Sequence, residues 1–272
     1  MSLIEDAKFL LRKYRISPKK RLGQHFMIEP STFQLLADYA LLCKNDVVLD
    51  IGAGLGFLTR FLAERCGKVL AVEVDNRLVR VLREQFRNLA NVEVIEGNVL
   101  KIPLPAFNKV VSIPPYSISS ALIRWLFSKK LECALLVLQK EFANRLVAPI
   151  GCENYGWLTV LTYYHFDVEL LDDVPKSFFY PQPEVDSKII RLKPKPQPPF
   201  RLKDEALFAK LVQALFTQRN RKVRNAIQPF IKRGCKVHRK ATMAADTLPF
   251  HDRRVRELAP EDFGELANVL AN

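Results

Sequence analysis

The residues best suited to chemistry in this sequence begin with a glycine-rich loop. It follows a short apolar run and consists of Asp50-Ile51-Gly52-Ala53-Gly54-Leu55-Gly56. Glycines at such a place let the backbone pass close to a ligand at the carboxyl edge of a sheet. Glu73 closes the next apolar run, where a carboxylate can accept hydrogen bonds from both hydroxyls of a ribose. Together they predict a site for a ligand that contains a nucleoside.

The spacing of the glycines separates two classes of ligand. Dinucleotide enzymes use GxGxxG, so that a helix N-terminus meets a pyrophosphate. Here the pattern is GxGxG with Asp50 two positions ahead, which favours S-adenosylmethionine, a ligand with a sulfonium and no phosphate, over NAD. A tight strand-to-helix turn without a ligand is the structural alternative. Asn98 follows the third apolar run, where its amide oxygen can accept an adenine amino proton, although Gly-Asn is also an ordinary turn.

A second segment with chemical potential is VVSIPPYSISS, from Val110 to Ser120. Pro-Pro-Tyr after a short apolar run resembles the active-site turn of enzymes that methylate an exocyclic amine. Those enzymes usually carry Asn, Asp or Ser three residues before the tyrosine, and this chain has Ile113 there. The segment therefore predicts amine methylation but lacks one side-chain acceptor.

The elements that must position these residues alternate between strand-like and helix-like patterns. Short β-branched or apolar runs are typical of strands buried on both faces, and GFLTRFLAER and NRLVRVLREQFRN have helical spacing. This alternation predicts a parallel, doubly wound α/β sheet. The proline-rich KPKPQPPF (193–200) is interpreted as a linker to a small helical unit. The predicted strands are 46–51, 68–74, 91–95, 108–113 and 133–138.

The charge of the chain favours a polyanionic partner. The formal net charge is +13 and the pI about 9.6, and no acidic residue interrupts the basic residues from Thr217 to Lys240. A surface that is merely lysine-rich would interleave Glu, so the unmixed run predicts nucleic-acid binding. No apolar run is long enough to cross a membrane, and no partner membrane is expected. Five scattered cysteines and four scattered histidines predict no metal site and fit a reducing cytoplasm.

Several further motifs, in the same order along the chain, give it a family resemblance. The chain is similar to the small-subunit ribosomal RNA adenine dimethyltransferases, the KsgA-like family, in its archaeal and eukaryotic form. The motifs that carry the likeness are Lys20-Arg21-Leu22-Gly23-Gln24-His25-Phe26-Met27, Leu138 to Leu146 with Tyr155-Gly156, Val174 to Ser187, and Phe216-Thr217-Gln218-Arg219-Asn220-Arg221-Lys222, which matches a basic helix of that family.

The resemblance implies a fold and a domain organisation. We expect a Rossmann-like class I methyltransferase sheet of seven strands in residues 1–193, with an N-terminal segment that covers the cofactor, and a helical RNA-binding domain in residues 200–272. The implied substrate is a pair of adjacent adenosines in a hairpin near the 3′ end of small-subunit rRNA, within the pre-ribosomal small subunit. A cytoplasmic monomer is expected.

The resemblance also implies roles for individual residues. Tyr116 and Phe179 would stack on a flipped-out adenine, and the carbonyl of Pro114 would accept an N6 proton. The residues expected in catalysis are Ile113, Pro114, Pro115, Tyr116 and Phe179; those for the cofactor are Gln24, His25, Met27, Gly52, Gly54, Glu73, Asn98 and Ser112; those for RNA are Arg219, Arg221, Lys222 and Arg224.

Position 113 leaves the level of activity open. Ser112 could supply the missing acceptor through a one-residue shift, the Pro114 carbonyl could act alone, or activity could have decayed. One lost preorganised hydrogen bond typically costs on the order of 10²-fold in rate, which slows an enzyme without abolishing it. The alternatives to a working methyltransferase are a ribosome-assembly or RNA-binding factor on the same fold and, less compatible with the basic run, a nicotinamide-dependent oxidoreductase.

Overall fold

The computed structural model describes residues 2–19, 22–232 and 245–271. The chain divides into two compact units. One unit comprises Met1–Ala143 and Glu169–Pro194, and the other comprises Asn144–Val168 and Lys195–Asn272.

The strands form a seven-stranded sheet and a separate two-stranded pair. The strands are β1 (Phe26–Met27), β2 (Val47–Ile51), β3 (Lys68–Glu73), β4 (Val92–Glu96), β5 (Lys109–Ser112), β6 (Cys133–Gln139), β7 (Phe166–Val174), β8 (Phe179–Tyr180) and β9 (Ser187–Pro194). The helices are α1 (Leu3–Lys13), α2 (Pro30–Ala40), α3 (Phe57–Ala63), α4 (Asn76–Phe86), α5 (Ser119–Leu126), α6 (Lys140–Leu146), α7 (Trp157–His165), α8 (Glu205–Phe216), α9 (Val223–Ala226), α10 (Gln228–Lys232) and α11 (Pro260–Leu270).

The order of the large sheet creates a crevice at one edge. The order is β4-β3-β2-β5-β6-β9-β7; β2 is parallel to both β3 and β5, and β9 is antiparallel to β6. After β2 the chain continues to β3 on one side of β2, whereas β5 lies on the opposite side of β2. The loops that follow β2 and β5 therefore run in different directions. Ligands bind at such a switch point in open α/β sheets, and this is where the glycine loop and the Pro-Pro-Tyr turn lie.

The predicted α/β fold is confirmed, and the five predicted strands are present with shifts of at most a few residues at their ends. The side chains of β2, β3, β5 and β6 are mostly apolar and buried, as expected for central strands covered on both faces, whereas the edge strand β4 is only partly buried. The sequence patterns did not locate the antiparallel strand β9 and the edge strand β7, although the family resemblance implied seven strands. The acidic residues of β7, FDVELLDDV, and its exposed positions hide the strand pattern.

The second unit is predominantly helical and has its own aromatic core. The Phe216 ring lies 5.6 Å from that of Tyr155 and 5.4 Å from that of Phe263, measured between centroids. The hydroxyl of Tyr155 donates to the carbonyl of Leu258 at 2.8 Å.

The boundary between the units differs from the sequence expectation. Residues 144–168 were assigned to the methyltransferase domain but belong to the second unit. The reason is packing: α7 is apolar on nearly every side and contacts α8 and α11. Pro194, which was interpreted as linker, ends β9 instead.

The segment from Thr217 to Lys222 was expected to be a basic helix and is not one. α8 ends at Phe216, and the carbonyls of Arg219 and Arg221 accept hydrogen bonds from the N–H groups of Arg256 and Val255, each at 3.0 Å. These backbone groups therefore pair with another segment of the same unit rather than along a helix.

Candidate active site

The glycine loop and the proline turn contact each other at the carboxyl edge of the sheet. Gly52 and Gly54 have φ angles of 73° and 59°, in the left-handed region that glycine adopts without strain. A Cβ on Gly52 would lie 2.8 Å from Cδ of Pro115, closer than real Cβ atoms approach other atoms. Glycine at position 52 therefore allows this contact, and both segments line one pocket.

Glu73 lies at the end of β3 with its carboxylate turned toward the glycine loop. The residue is buried, and three backbone N–H groups donate to it, that of Gly54 to Oε2 and those of Val74 and Asp75 to Oε1. Burial raises the pKa of this carboxyl, and the hydrogen bonds oppose the shift. Since a carboxylate has about four lone-pair positions, one remains, on Oε2. In this arrangement Glu73 can accept one ribose hydroxyl rather than the two that the sequence suggested.

An apolar pocket next to Glu73 suits a flat purine. Val74 is 52% exposed although it is apolar, and it lines this pocket together with Val99 and Ile118. Asn98 lies at the same pocket, and its Oδ1 accepts a hydrogen bond from the N–H of Leu100 at 3.0 Å. The second lone pair of that oxygen is left for an adenine amino group.

Asp50 is a candidate functional residue that the residue assignments from sequence missed. It is 1% exposed, and its Oδ2 accepts a hydrogen bond from Thr59 Oγ1 at 2.7 Å. Burial raises the pKa of Asp50 to about 7, and the nearby charge of Glu73 adds to the shift. Asp50, His25 and Met27 line a second pocket beside the loop. The acidic residue of the glycine motif was the available signal.

The N-terminal segment is tied to the first turn of α4 through Asp75. Gln24 Nε2 donates to Asp75 Oδ2 at 3.0 Å, and Arg77 donates to both oxygens of the same carboxylate. These bonds hold the pKa of Asp75 well below its usual range. His25 follows Gln24, and its Nδ1 lies 2.7 Å from the carbonyl of Pro181. Gln24 and His25 thus line the pocket as expected, whereas Lys20 and Arg21 lie outside the described residues.

The expected base-binding residues come together in one pocket. Ile113, Pro114, Pro115, Tyr116 and Phe179 all line it. The Tyr116 hydroxyl lies 2.6 Å from Oγ of Ser187, and its ring stacks on that of His25 at 6.2 Å between centroids. Phe179 pairs with Met27 between β8 and β1 and is 3% exposed, so it also belongs to the core.

Ser112 does not belong to this pocket. Its hydroxyl is fully buried between β5 and β2, where Oγ accepts from the N–H of Ile51 at 3.0 Å and donates to the Ile51 carbonyl at 2.7 Å. Both bonds tie it to its neighbouring strand. The expectation that Ser112 contacts the cofactor or replaces the missing acceptor is therefore wrong in this structure.

The expected RNA-binding residues lie in the second unit. Three of their side chains already bond to other groups of the protein. Arg219 donates to the backbone carbonyl of Cys152 at 2.7 Å, and Lys222 and Arg224 each lie 2.8 Å from Oδ1 of Asp252. Arg221 is exposed. The basic residues from Arg233 to Lys240 lie outside the described residues.

Within the described ranges, no group of three side chains could hold a metal ion. The helices of those ranges are also too short and too polar to cross a membrane.

Comparisons with known proteins now bear on this site. A family model described as ribosomal RNA adenine dimethylase matches residues 16–271. The chain belongs to that family. The enzyme is 42% identical to a probable ribosomal RNA small subunit methyltransferase A from Methanosarcina acetivorans over 271 residues, 96% of each chain. A protein of the same name from Pyrococcus abyssi is 38% identical, over 96% of this chain and 95% of that one.

Solved structures show the same fold. The enzyme matches a dimethyladenosine transferase from Plasmodium falciparum with a TM-score of 0.75 and 27% identity, over 89% of this chain and 96% of that one. It matches the 23S rRNA methyltransferase ErmE with a TM-score of 0.63 and 29% identity, over 91% and 100% of the two chains. The predicted cofactor class is confirmed, because the enzyme belongs to a family of S-adenosylmethionine-dependent methyltransferases.

The residues present fit that cofactor. An exposed apolar side chain, Val74, lies where an adenine could cover it, and Glu73 keeps one acceptor position next to the glycine loop. The buried carboxyls of Asp50 and Glu73 suit a cationic ligand, since burial raises the pKa of each and a cation bound next to them would stabilise the ionised form.

Proposed function

We propose that the enzyme transfers methyl groups from S-adenosylmethionine to N6 of adjacent adenosines in the 3′-terminal hairpin of small-subunit rRNA, and that it acts during small-subunit biogenesis. The archaeal relatives named ribosomal RNA small subunit methyltransferase A support the choice of RNA. The observation that carries the proposal is that Tyr116 and Phe179 line the same pocket as Gly52 and Glu73. A base held by the first pair would lie next to a cofactor held by the second.

The pocket can bind a base that has left the RNA stack. Aromatic stacking contributes about 1–3 kcal/mol per base, and Tyr116 is fixed for this purpose by its bond to Ser187. Phe179 is held by its strand pairing with Met27. Both rings are thus positioned before RNA arrives, which lowers the entropic cost of binding.

The Pro114 carbonyl is suited to activate the amine. Adenine N6 is a poor nucleophile because its lone pair is delocalised into the ring, and a hydrogen bond from an N6 proton to a carbonyl draws the nitrogen toward pyramidal geometry. None of the residues that the structure describes donates to the carbonyl oxygen of Pro114. When bound, the cofactor supplies an electrophilic methyl group. Near-attack placement of two reactants is worth about 7–11 kcal/mol, so positioning carries most of the catalysis.

The surplus proton needs no strong base. Transfer of the methyl group leaves a positively charged nitrogen that is acidic enough to lose its proton to water. Of the titratable side chains that line the pocket, Glu73 is buried and hydrogen-bonded, Tyr116 is half-buried and bonded to Ser187, and His25 is bonded to the Pro181 carbonyl. The mechanism does not require any of them to take up that proton.

The experiment that tests the proposal is methyl transfer from tritium-labelled S-adenosylmethionine to purified ribosomal particles. Incorporation into N6 of two adjacent adenosines of small-subunit rRNA, found by nuclease digestion and mass spectrometry, is the expected result. Large-subunit particles form the matched substrate control, because one structural relative acts on 23S rRNA. Tyr116→Ala is the protein control. A parent enzyme that binds cofactor and RNA but labels neither particle would contradict the proposal and favour an assembly factor.

The proposal includes action in the cytoplasm by a monomer. Cys43, Cys66, Cys133 and Cys152 are free thiols, which suits a reducing compartment. Light scattering of the purified enzyme would test the monomeric state.

A further inference from the structure

Ile113 lines both the base pocket and the second pocket beside the glycine loop, and so lies where the two meet. It lines the first with Tyr116 and Phe179 and the second with Asp50 and Met27. Its inner part packs on the buried apolar cluster. A base bound in this pocket would react through its exocyclic amine at this junction. The amine would therefore contact the aliphatic side chain of Ile113.

Most of the other polar side chains of the base pocket have partners already, and the remaining acceptor position of Glu73 lies next to the glycine loop. Gln24 uses its amide nitrogen for Asp75 and its amide oxygen for the N–H of Lys19. The Tyr116 hydroxyl bonds to Ser187. His25 keeps one acceptor, Nε2, because Nδ1 donates to the Pro181 carbonyl. In the turn itself the Pro114 carbonyl accepts no hydrogen bond from the described residues, so it is available to an N6 proton.

We propose that Ile113 makes the enzyme prefer N6-methyladenosine to adenosine as its acceptor. This inference depends on the proposed function, since it concerns the same amine. Adenosine has two N6 protons. With one on the Pro114 carbonyl, the other faces Ile113 and loses its bond to water, and an unsatisfied buried donor is costly. N6-methyladenosine has one proton for the carbonyl and a methyl group that gains from contact with Ile113.

The reaction balances in the same way for both acceptors. The N6 lone pair forms a bond to the methyl carbon, the carbon–sulfur bond breaks with its electron pair on sulfur, and the nitrogen releases a proton to water. The first transfer converts the poorer acceptor into the better one. Monomethylated product then does not accumulate, and adenosines that react become dimethylated.

The test compares two substrates under single-turnover conditions with saturating cofactor. Small-subunit particles are reconstituted with rRNA that carries either adenosine or N6-methyladenosine at the target position. The parent enzyme is expected to methylate the second about tenfold faster, which corresponds to about 1.4 kcal/mol. Ile113→Asn, which restores a polar acceptor, should bring the ratio to one or below by raising the rate on adenosine. Ile113→Val is the matched control and should keep the preference.

The possible results separate the preference for N6-methyladenosine from the proposed methyltransferase function. Equal rates of the parent enzyme on both substrates would overturn the inference and would indicate a second acceptor such as Nε2 of His25, while leaving the proposed function intact. A faster reaction on adenosine would overturn it as well. Failure to methylate either substrate would instead contradict the proposed function. The comparison within the parent enzyme does not depend on the folding of any variant.

Discussion

The hydroxyl of Tyr116 lies 2.6 Å from Oγ of Ser187, which is fully buried in β9. This bond joins the turn after β5 to a strand two positions away in the sheet. Burial raises the pKa of Tyr116, so the phenol stays neutral and able to donate across the ordinary pH range. The ring that is expected to stack on the base is thereby held in one orientation.

Removal of this bond should lower the rate more than the affinity. We expect Tyr116→Phe to lower kcat by about 2- to 10-fold, the range that corresponds to one neutral hydrogen bond of about 0.5–1.5 kcal/mol. Ser187→Ala should have a similar effect, and the double variant should add little to either change. Tyr116→Ala, which also removes the stack, should cost more. Additive losses in this cycle would mean that the two side chains act separately.

Glu73 should control cofactor binding through a single hydroxyl contact and through the shape of the loop. Glu73→Ala should weaken binding of S-adenosylmethionine by about tenfold or more, since it removes a charged acceptor and leaves the N–H of Gly54 unpaired. Titration calorimetry measures the change, with 2′-deoxy and 3′-deoxy forms of the cofactor as matched ligands. Loss of affinity for one deoxy form and not the other would confirm that one ribose hydroxyl is bound. Equal affinity of folded Glu73→Ala and parent would reject the assignment.

Cofactor affinity should rise with pH up to about neutrality. The pKa of Asp50 is raised to about 7 by burial, so without ligand this carboxyl binds a proton below that pH. A cationic ligand stabilises the ionised form, and binding then releases a proton. The affinity therefore increases as pH rises toward about 7 and levels off above it. Calorimetry in two buffers of different ionisation enthalpy counts the proton.

Two controls belong to the pH experiment. S-adenosylhomocysteine lacks the sulfonium charge and should show a weaker dependence. Asp50→Asn should flatten the profile, because it removes the titratable carboxyl. The local structure should be kept, because Thr59 can still donate to the amide oxygen. An unchanged profile in this variant would assign the proton to another group, with Glu73 the next to test because burial raises its pKa too.

The bond from Gln24 to Asp75 should affect cofactor retention and not chemistry. Asp75 accepts from Gln24 at 3.0 Å and from the backbone N–H of Arg77 at 3.2 Å. Gln24→Ala releases the N-terminal segment and should raise KM for S-adenosylmethionine several-fold with kcat nearly unchanged. Gln24→Glu is a matched variant that keeps the length but places a carboxylate against Asp75, and it should be worse. A fall in kcat at unchanged KM would place Gln24 at the reacting atoms instead.

Arg221 should contribute more to RNA binding than Lys222. Both residues are exposed, but Lys222 shares Asp252 with Arg224. A plot of the logarithm of the RNA binding constant against the logarithm of the salt concentration should be less steep for Arg221→Ala. The slope should fall by about 0.7–0.9, the value for one phosphate contact. Lys222→Ala should have a smaller effect. Asp252→Asn is the matched control and should strengthen binding by freeing Lys222, while Arg224 keeps Asp246 at 3.9 Å. An unchanged slope in Arg221→Ala would move the RNA surface elsewhere.

Ile113 and Ser112 show where inference from the sequence ends. The pattern of residues around 113 identified the turn and its missing acceptor, because motif spacing is local. Only the strand pairing of β5 with β2 decided that Ser112 Oγ is engaged with Ile51. A one-residue shift along a strand turns the side chain to the opposite face, so Ser112 cannot reach the place that Ile113 occupies.

The sequence by itself determined the α/β fold, the glycine loop, the cofactor class and most of the residues that line the pocket. These features depend on short-range patterns: buried apolar runs, glycine spacing and aromatic residues beside prolines. The tertiary structure alone decided the Tyr116–Ser187 bond, the three backbone donors to Glu73, the membership of residues 144–168 in the second unit and the ion pairs of Lys222 and Arg224. Each of these joins residues through a folded arrangement that no local pattern encodes, because hydrogen bonds and ion pairs depend on distances that only packing sets.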